Sequence, residues 1–285
     1  MKIGAVASFF APLVPPARLL DLARGLDQRE LDSLWFGEHA LLFDEMEFGY
    51  PGSPDGKLPV PEGCGMPDQS TIIGYLAGHT RNLRFGTSIS LIAQRNPIYT
   101  AKEFATLDWL TGARVDLGVG VGWCKEEVLA CGYGWSDRGA RCDEALALMA
   151  KLWRDPVTDH DGHYFQVQGA KMDPKPVNGL IPLIVGGYSD AALKRAATFG
   201  HGWLGFGQDP RAAEAILKRL DAHLAAVGRG RDDFDIVMMP AVDDVAAARA
   251  FRDLGINRLI PMVMLDSDAS LAARLEHLSQ LSTSI

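Results

Sequence analysis

No two cysteines in this chain are spaced for a metal or redox centre. Cys64, Cys124, Cys131 and Cys142 form no C-x-x-C pair and lie in no tight Cys/His cluster. They read as reduced, buried thiols, and no metal site is expected. No window approaches the ~18 uninterrupted apolar residues of a spanning helix. No long basic run occurs either, and 28 Lys+Arg against 36 Asp+Glu leave a net charge of −8. Nucleic acid and membrane are therefore not expected as partners. The chain opens with Met1-Lys2-Ile3-Gly4 on an apolar strand, without the charged and long apolar segments of a signal peptide, so the expected address is the cytoplasm. What is abundant is glycine, 30 in 285 residues, where about 7% is usual. It follows no Gly-X-Y period and makes no Gly/Ser linker, so these glycines mark particular backbone positions.

Short β-rich runs alternate with longer runs of helical period. Strands are expected near residues 2–9, 32–38, 83–90, 115–121, 181–185, 202–205, 234–239 and 258–264. Helices are expected near 16–28, 69–79, 97–110, 189–199, 210–227, 242–254 and 269–281. Such alternation predicts a parallel α/β sheet, and eight units in this length point to a (β/α)8 TIM barrel filling residues 1–285 as one domain. An open doubly wound sheet is the other solution, because alternation does not show closure. Two inserted loops break the rhythm. Residues 41–66 follow the C-terminal end of the second strand and read as a lid or an Ω-loop; residues 154–180 read as a small hairpin decoration.

Several clusters fall at the C-terminal strand ends, where barrel enzymes keep their chemistry. Glu38 and His39 end the second strand; Thr87, Ser88 and Ile89 end the third. Gly118, Gly120 and Gly122 fail the G-x-G-x-x-G spacing, since Trp123 holds the next position. Bare backbone at Gly120, Val121 and Gly122 would admit a flat ring, or would serve tight packing. Gly186, Gly187, Tyr188 and Ser189 precede a helix, an arrangement suited to an anion or to a plain serine N-cap. Glu126 and Glu127 are further candidate acids. Asn96 reads as an N-cap, Arg114 as a structural ion pair, and Trp35, Phe36, Trp109, Trp153 and Trp203 as core. Arg138 and Arg141 either face a ligand or pair with Asp137, Asp143 and Glu144.

Leu-Arg-Phe-Gly-Thr-Ser-Ile at 83–89, Gln-Arg-Asn-Pro at 94–97, the run 101–115 and Asp-Leu-Gly-Val-Gly-Val-Gly-Trp at 116–123 together resemble the luciferase-like monooxygenase superfamily. Arg-Gly-Ala-Arg-Cys-Asp-Glu-Ala at 138–145, Pro-Lys-Pro at 174–176, Ile-Val-Gly-Gly-Tyr-Ser at 184–189 and Gly-His-Gly-Trp at 200–203 extend the resemblance to its branch of deazaflavin (coenzyme F420)-dependent oxidoreductases. The resemblance implies a (β/α)8 barrel, a homodimer, and hydride transfer between F420 and a small organic substrate. FMN-dependent monooxygenation and a non-catalytic flavin-binding barrel are the alternatives. It further implies ring contacts from Thr87, Ser88, Ile89, Gly120, Val121 and Gly122, with a non-prolyl cis peptide at Ser88–Ile89 or beside it. Gly186, Gly187, Tyr188 and Ser189 would bind phosphate, and His39, oriented by Glu38, would bind substrate or carry a proton. One departure matters: some relatives place a catalytic acid directly after the glycines, where this chain has Trp123. A phosphosugar or aldol-type barrel would use the same phosphate site, but it lacks a convincing Schiff-base lysine or set of metal carboxylates.

Overall fold

The computed structural model describes residues 1–53, 55–265 and 267–285. In chain order, β1 (Lys2–Ile3) and β2 (Ala5–Ser8) precede α1 (Pro16–Gln28), β3 (Ser33–Phe36), α2 (Gln69–Ala77), β4 (Arg84–Thr87), β5 (Ser90–Leu91) and α3 (Pro97–Thr111). Next come β6 (Val115–Gly120), α4 (Lys125–Ala130), α5 (Arg138–Arg154), the β7 (Thr158–Asp161) and β8 (Gln166–Ala170) pair, β9 (Leu183–Gly186) and α6 (Asp190–Phe199). The chain ends with β10 (Gly202–Gln208), α7 (Pro210–Ala226), β11 (Asp235–Pro240), α8 (Val245–Asp253), β12 (Arg258–Leu259), β13 (Met262–Met264) and α9 (Asp268–Ser284).

The barrel closes. β1 and β2 are two pieces of one stave, and so are β4 with β5 and β12 with β13. β12 pairs in parallel with β1, Lys2 opposite Arg258, and β13 pairs with β2, Val6 opposite Met262. Every other barrel neighbour is also parallel, in the order β12-β11-β10-β9-β6-β4-β3-β2. The eight predicted staves are thus present and the doubly wound alternative falls. β7 and β8 form the antiparallel hairpin expected in the second insertion. Helix starts follow local chemistry: Asn96 accepts from the Ile98 and Tyr99 N–H groups ahead of Pro97, and Asp68, Ser189, Asp209 and Asp244 cap in the same way. Asp244 explains why α8 begins at Val245 rather than at 242.

Side chains sort by strand parity. Leu34, Phe36, Phe85 and Leu117 face the helices, while Val6, Trp35, Ile184, Leu204, Val237, Met239 and Ile260 form a separate cluster inside the barrel. Interior positions of the third and fourth staves are glycines, and the structure shows what occupies the vacated space. A Cβ on Gly86 would lie 2.3 Å from the Trp35 ring, one on Gly118 1.8 Å from the Thr87 carbonyl oxygen, and one on Gly120 1.9 Å from Ile89 Cδ1. The glycines therefore admit Trp35 and Ile89 to the interior, which corrects the reading of Gly120 as backbone kept bare for a ring.

Two other expectations change. Trp109 is 61% exposed on α3, whereas Trp35, Phe36, Trp153 and Trp203 are buried. Arg114 forms no ion pair among the described residues; its guanidinium donates to the Leu83, Ala77 and Thr111 carbonyls and to Thr80 Oγ1.

Candidate active site

β3 runs into Gly37, Glu38 and His39 at the C-terminal mouth. Glu38 does not orient His39. Its Oε1 accepts from Arg95 Nε at 2.8 Å and its Oε2 from the Leu91 N–H at 2.6 Å, which ties the end of β3 to β5 and the turn after it. Arg95 is held further by Asp68 and Glu103. The partner of His39 is Glu127, in the first turn of α4, where a carboxylate suits the helix dipole.

Glu127 is fully buried, and its Oε2 lies 2.9 Å from His39 Nδ1. Its Oε1 accepts from the Ala40 N–H at 2.6 Å and the Leu41 N–H at 3.3 Å. Burial pushes this carboxyl up, but His39 and the two N–H groups outweigh burial, so its pKa lies below the ordinary glutamate value. An ionised Glu127 can only accept, so His39 Nδ1 carries the hydrogen and Nε2 is left without a protein partner among the described residues.

That balance predicts a pH dependence. A group whose folded pKa is depressed contributes stability above its unfolded pKa and loses it as pH falls through the folded value. Glu127→Gln is expected to destabilise the protein by about 1–3 kcal/mol at pH 7. The difference from wild type in urea midpoint should shrink below about pH 4.5, the ordinary glutamate value. A difference independent of pH would overturn the ionised assignment.

Residues 41–66 fold over the same mouth. Ala11 and Gly65 exchange backbone hydrogen bonds of 3.0 Å each, closing the far end of the segment onto the first stave. The Glu47 N–H donates to Glu126 Oε1 at 2.9 Å, and Lys125 pairs with Glu47. Phe48 stacks on Trp135 at 5.8 Å. Trp123 is the meeting point: the His39 ring stands edge-on to it at 5.3 Å, and the Tyr50 ring lies tilted against it, also at 5.3 Å. Sequence spacing gave no sign of the Tyr50–Trp123 contact.

The remaining predicted residues divide. The Ser88–Ile89 peptide is cis, and Ser88 Oγ is buried without a hydrogen-bond partner. Thr87 is fully buried and donates to the Gly118 carbonyl at 2.7 Å, so its hydroxyl serves the sheet rather than a ligand. Val121 is half-buried, and Gly122 turns the chain with φ 77°. At the end of β9, Gly187 has φ 116° and Ser189 Oγ accepts from the Ala192 N–H, leaving the first N–H groups of α6 without intrahelical acceptors. Gly186 packs against Ile89. Tyr188 does not offer its hydroxyl: it donates to the Phe206 carbonyl and accepts from the Phe206 N–H, and burial pushes the phenol up to about 12.

The two arginines of α5 also separate. Arg141 pairs with Asp137, Arg195 takes Asp143, and Glu144 accepts from the N–H groups of residues 163–165. Arg138 has no carboxylate partner among the described residues; its guanidinium lies 3.6 Å above the Trp135 ring and its buried Nε is unpartnered. No group of three or more potential metal ligands occurs among the described residues. A depression of about 360 Å³ beside the hairpin, lined by Tyr99, Lys102 and Met172, is on the outer wall and not at the strand ends.

A family model described as luciferase-like monooxygenase matches residues 1–274. An uncharacterised protein of Mycobacterium tuberculosis is 32% identical over 176 residues, which cover 62% of this chain and 60% of that protein. The F420-dependent glucose-6-phosphate dehydrogenase of Microbacterium testaceum is 31% identical over 229 residues, 78% of this chain and 63% of the relative. Among solved structures, an F420-dependent secondary alcohol dehydrogenase in complex with an F420–acetone adduct superposes with a TM-score of 0.81 at 18% identity, covering 99% of this chain and 98% of that one. At that identity the superposition shows the shared fold.

Proposed function

Because the chain belongs to the luciferase-like monooxygenase family, we propose that it is an oxidoreductase that binds coenzyme F420 in the barrel mouth and exchanges a hydride with a small organic substrate. The observation that carries this reading is the His39–Glu127 pair at the end of β3, with Nε2 free beside Trp123.

The residues present fit such a cofactor. Ser88 Oγ is an orphaned buried hydroxyl next to Ile89. The turn at Gly187 and the open N–H groups of α6 suit a phosphate, and Arg138 is a cation without a carboxylate. A ring would meet Ile89, which covers Gly120 and packs on Gly186, rather than naked glycine. When bound, the deazaflavin supplies or accepts the hydride.

The chain's own part is placement and proton handling. Glu127 fixes the His39 tautomer, so Nε2 takes a proton from a substrate hydroxyl or, once protonated, returns it to a carbonyl oxygen. The seated segment 41–66 keeps water from that exchange. The test is a fluorescence titration of purified protein with F420 and FMN in parallel. Saturable binding of F420 is expected. Saturation by FMN alone would move the protein to the monooxygenase side of the family, and binding of neither would overturn the redox reading.

A further inference from the structure

The Tyr50 hydroxyl is a second unspent polar group at the mouth. It makes no hydrogen bond among the described residues, while its neighbour Tyr188 has both hydroxyl bonds satisfied by Phe206. The Tyr50 ring is held from behind by its own turn. Tyr50 N–H donates to the Gly56 carbonyl at 2.7 Å, and a Cβ on Gly52 would lie 2.5 Å from the Tyr50 ring. It is held in front by Trp123, whose other contact is His39. The rings of His39, just beyond β3, and of Tyr50, from the covering segment, thus pack on one indole, and each carries a polar atom without a hydrogen-bond partner among the described residues. Burial pushes the Tyr50 phenol up, so at neutral pH it is a hydrogen-bond donor.

Several charged groups around this indole already have partners. Glu127 is engaged by His39, Ala40 and Leu41; Glu126 accepts from the Glu47 N–H; Lys125 pairs with Glu47; Arg95 is surrounded by Glu38, Asp68 and Glu103. Among the described residues, Lys125 and Arg95 are thus both engaged, and neither is left to receive a carboxylate or a phosphate on the substrate. We propose that Tyr50 is a catalytic residue delivered by the covering segment, whose hydroxyl donates a hydrogen bond to the oxygen of an uncharged alcohol or ketone held against Trp123 opposite His39. The proposal rests on the redox reading above for the identity of the reacting partner, but the binding geometry stands without it.

The chemistry of the pair is complementary. Tyr50 polarises the carbonyl or steadies the alkoxide-like oxygen, and His39 Nε2 holds the proton that oxygen gains or loses. A site that hydrogen-bonds the substrate oxygen from two sides discriminates strongly against ligands lacking it. It also leaves a carboxylate without a counter-charge in a desolvated pocket, an arrangement that costs several kcal/mol in general.

The experiment uses cyclohexanone, cyclohexanol and the size-matched anion cyclohexanecarboxylate as probes. Each is titrated by tryptophan fluorescence against wild type and Tyr50→Phe, with and without F420, whose own binding is followed separately. Wild type is expected to bind the ketone and the alcohol and to discriminate against the carboxylate. Tyr50→Phe should weaken the ketone by about tenfold while its affinity for F420 stays unchanged. Where turnover is seen, kcat/KM should fall further than ketone affinity, because the donor strengthens as charge develops on oxygen. Wild-type affinity for the ketone in Tyr50→Phe, absence of ketone binding to wild type, or equal binding of the carboxylate would each overturn the proposal. Failure of F420 to bind would overturn the redox reading instead, and the ketone titration of the unloaded protein would still decide the role of Tyr50.

Discussion

Replacing His39 with alanine is expected to lower kcat/KM by about 10²–10⁴-fold, the range for a positioned acid–base group, with cofactor affinity close to wild type. The separation follows from the geometry. Nδ1 is committed to Glu127 at 2.9 Å and Nε2 has no hydrogen-bond partner among the described residues, so the imidazole is expected to contribute through proton exchange. The groups suited to a phosphate sit elsewhere, at Gly187, Ser189 and Arg138. Glu127→Gln should have a smaller kinetic effect, since an amide oxygen can still accept from Nδ1–H and hold the ring in place. Cofactor titration and steady-state kinetics on the same preparations separate these outcomes. His39→Ala with undiminished turnover would remove the histidine from the reaction; lost cofactor affinity would make it a binding residue.

The sequence carried the staves because each is short, rich in branched or aromatic residues, and bounded by stop signals that act locally. Thr111-Gly112 ends α3 with Gly112 left-handed at φ 67°, and Asn96-Pro97 starts it. Closure was not legible: it depends on Lys2 meeting Arg258, residues 256 positions apart, and no local pattern encodes a pairing at that distance. The site shows the same division. His39 stood out as a titratable group at a strand end, but adjacency in the chain suggested Glu38 as its partner, while the fold supplied Glu127 from 88 residues away. The glycines of β6 were visible as a cluster. Their occupant was not, because Ile89 enters from the neighbouring stave across the Ser88–Ile89 link. Tyr50 lies in a segment with no helix or strand period, so only the fold, which half-buries it against Trp123, separates it from an exposed loop aromatic such as Phe48.

The largest expected loss of stability comes from the opposite end of the barrel. Arg258, on the last stave, donates to Asp116 Oδ2 at 2.5 Å and pairs with Asp235 at 2.5 Å, with Asp32 at 3.7 Å. Asp116 is fully buried and is also held by Arg84 at 2.6 Å; Lys2 reaches Asp32 at 3.2 Å. Three cations and three carboxylates thus form a neutral floor beneath Trp35, joining staves that are distant in sequence. Arg258→Met preserves much of the volume but strands the carboxylates, and breaking a buried pair from one side costs about 3–5 kcal/mol. Burial pushes Asp116 up, but Arg258 and Arg84 outweigh it and hold its pKa below the ordinary aspartate value of 3.8. Its contribution is therefore present above that value and lost as pH falls through the lower folded value. Asp235 works the other way, since burial raises it despite Arg258, so it tempers the gain near neutrality. The difference between wild type and Arg258→Met in urea midpoint should be wide near pH 7 and narrow only as pH falls below about 3.8. Asp116→Asn on the Arg258→Met background should recover part of the loss, because it removes the stranded charge without restoring the cation. A single variant within about 1 kcal/mol of wild type, the scale of an exposed pair, would mean that water reaches these carboxylates and that the floor does not hold the staves together.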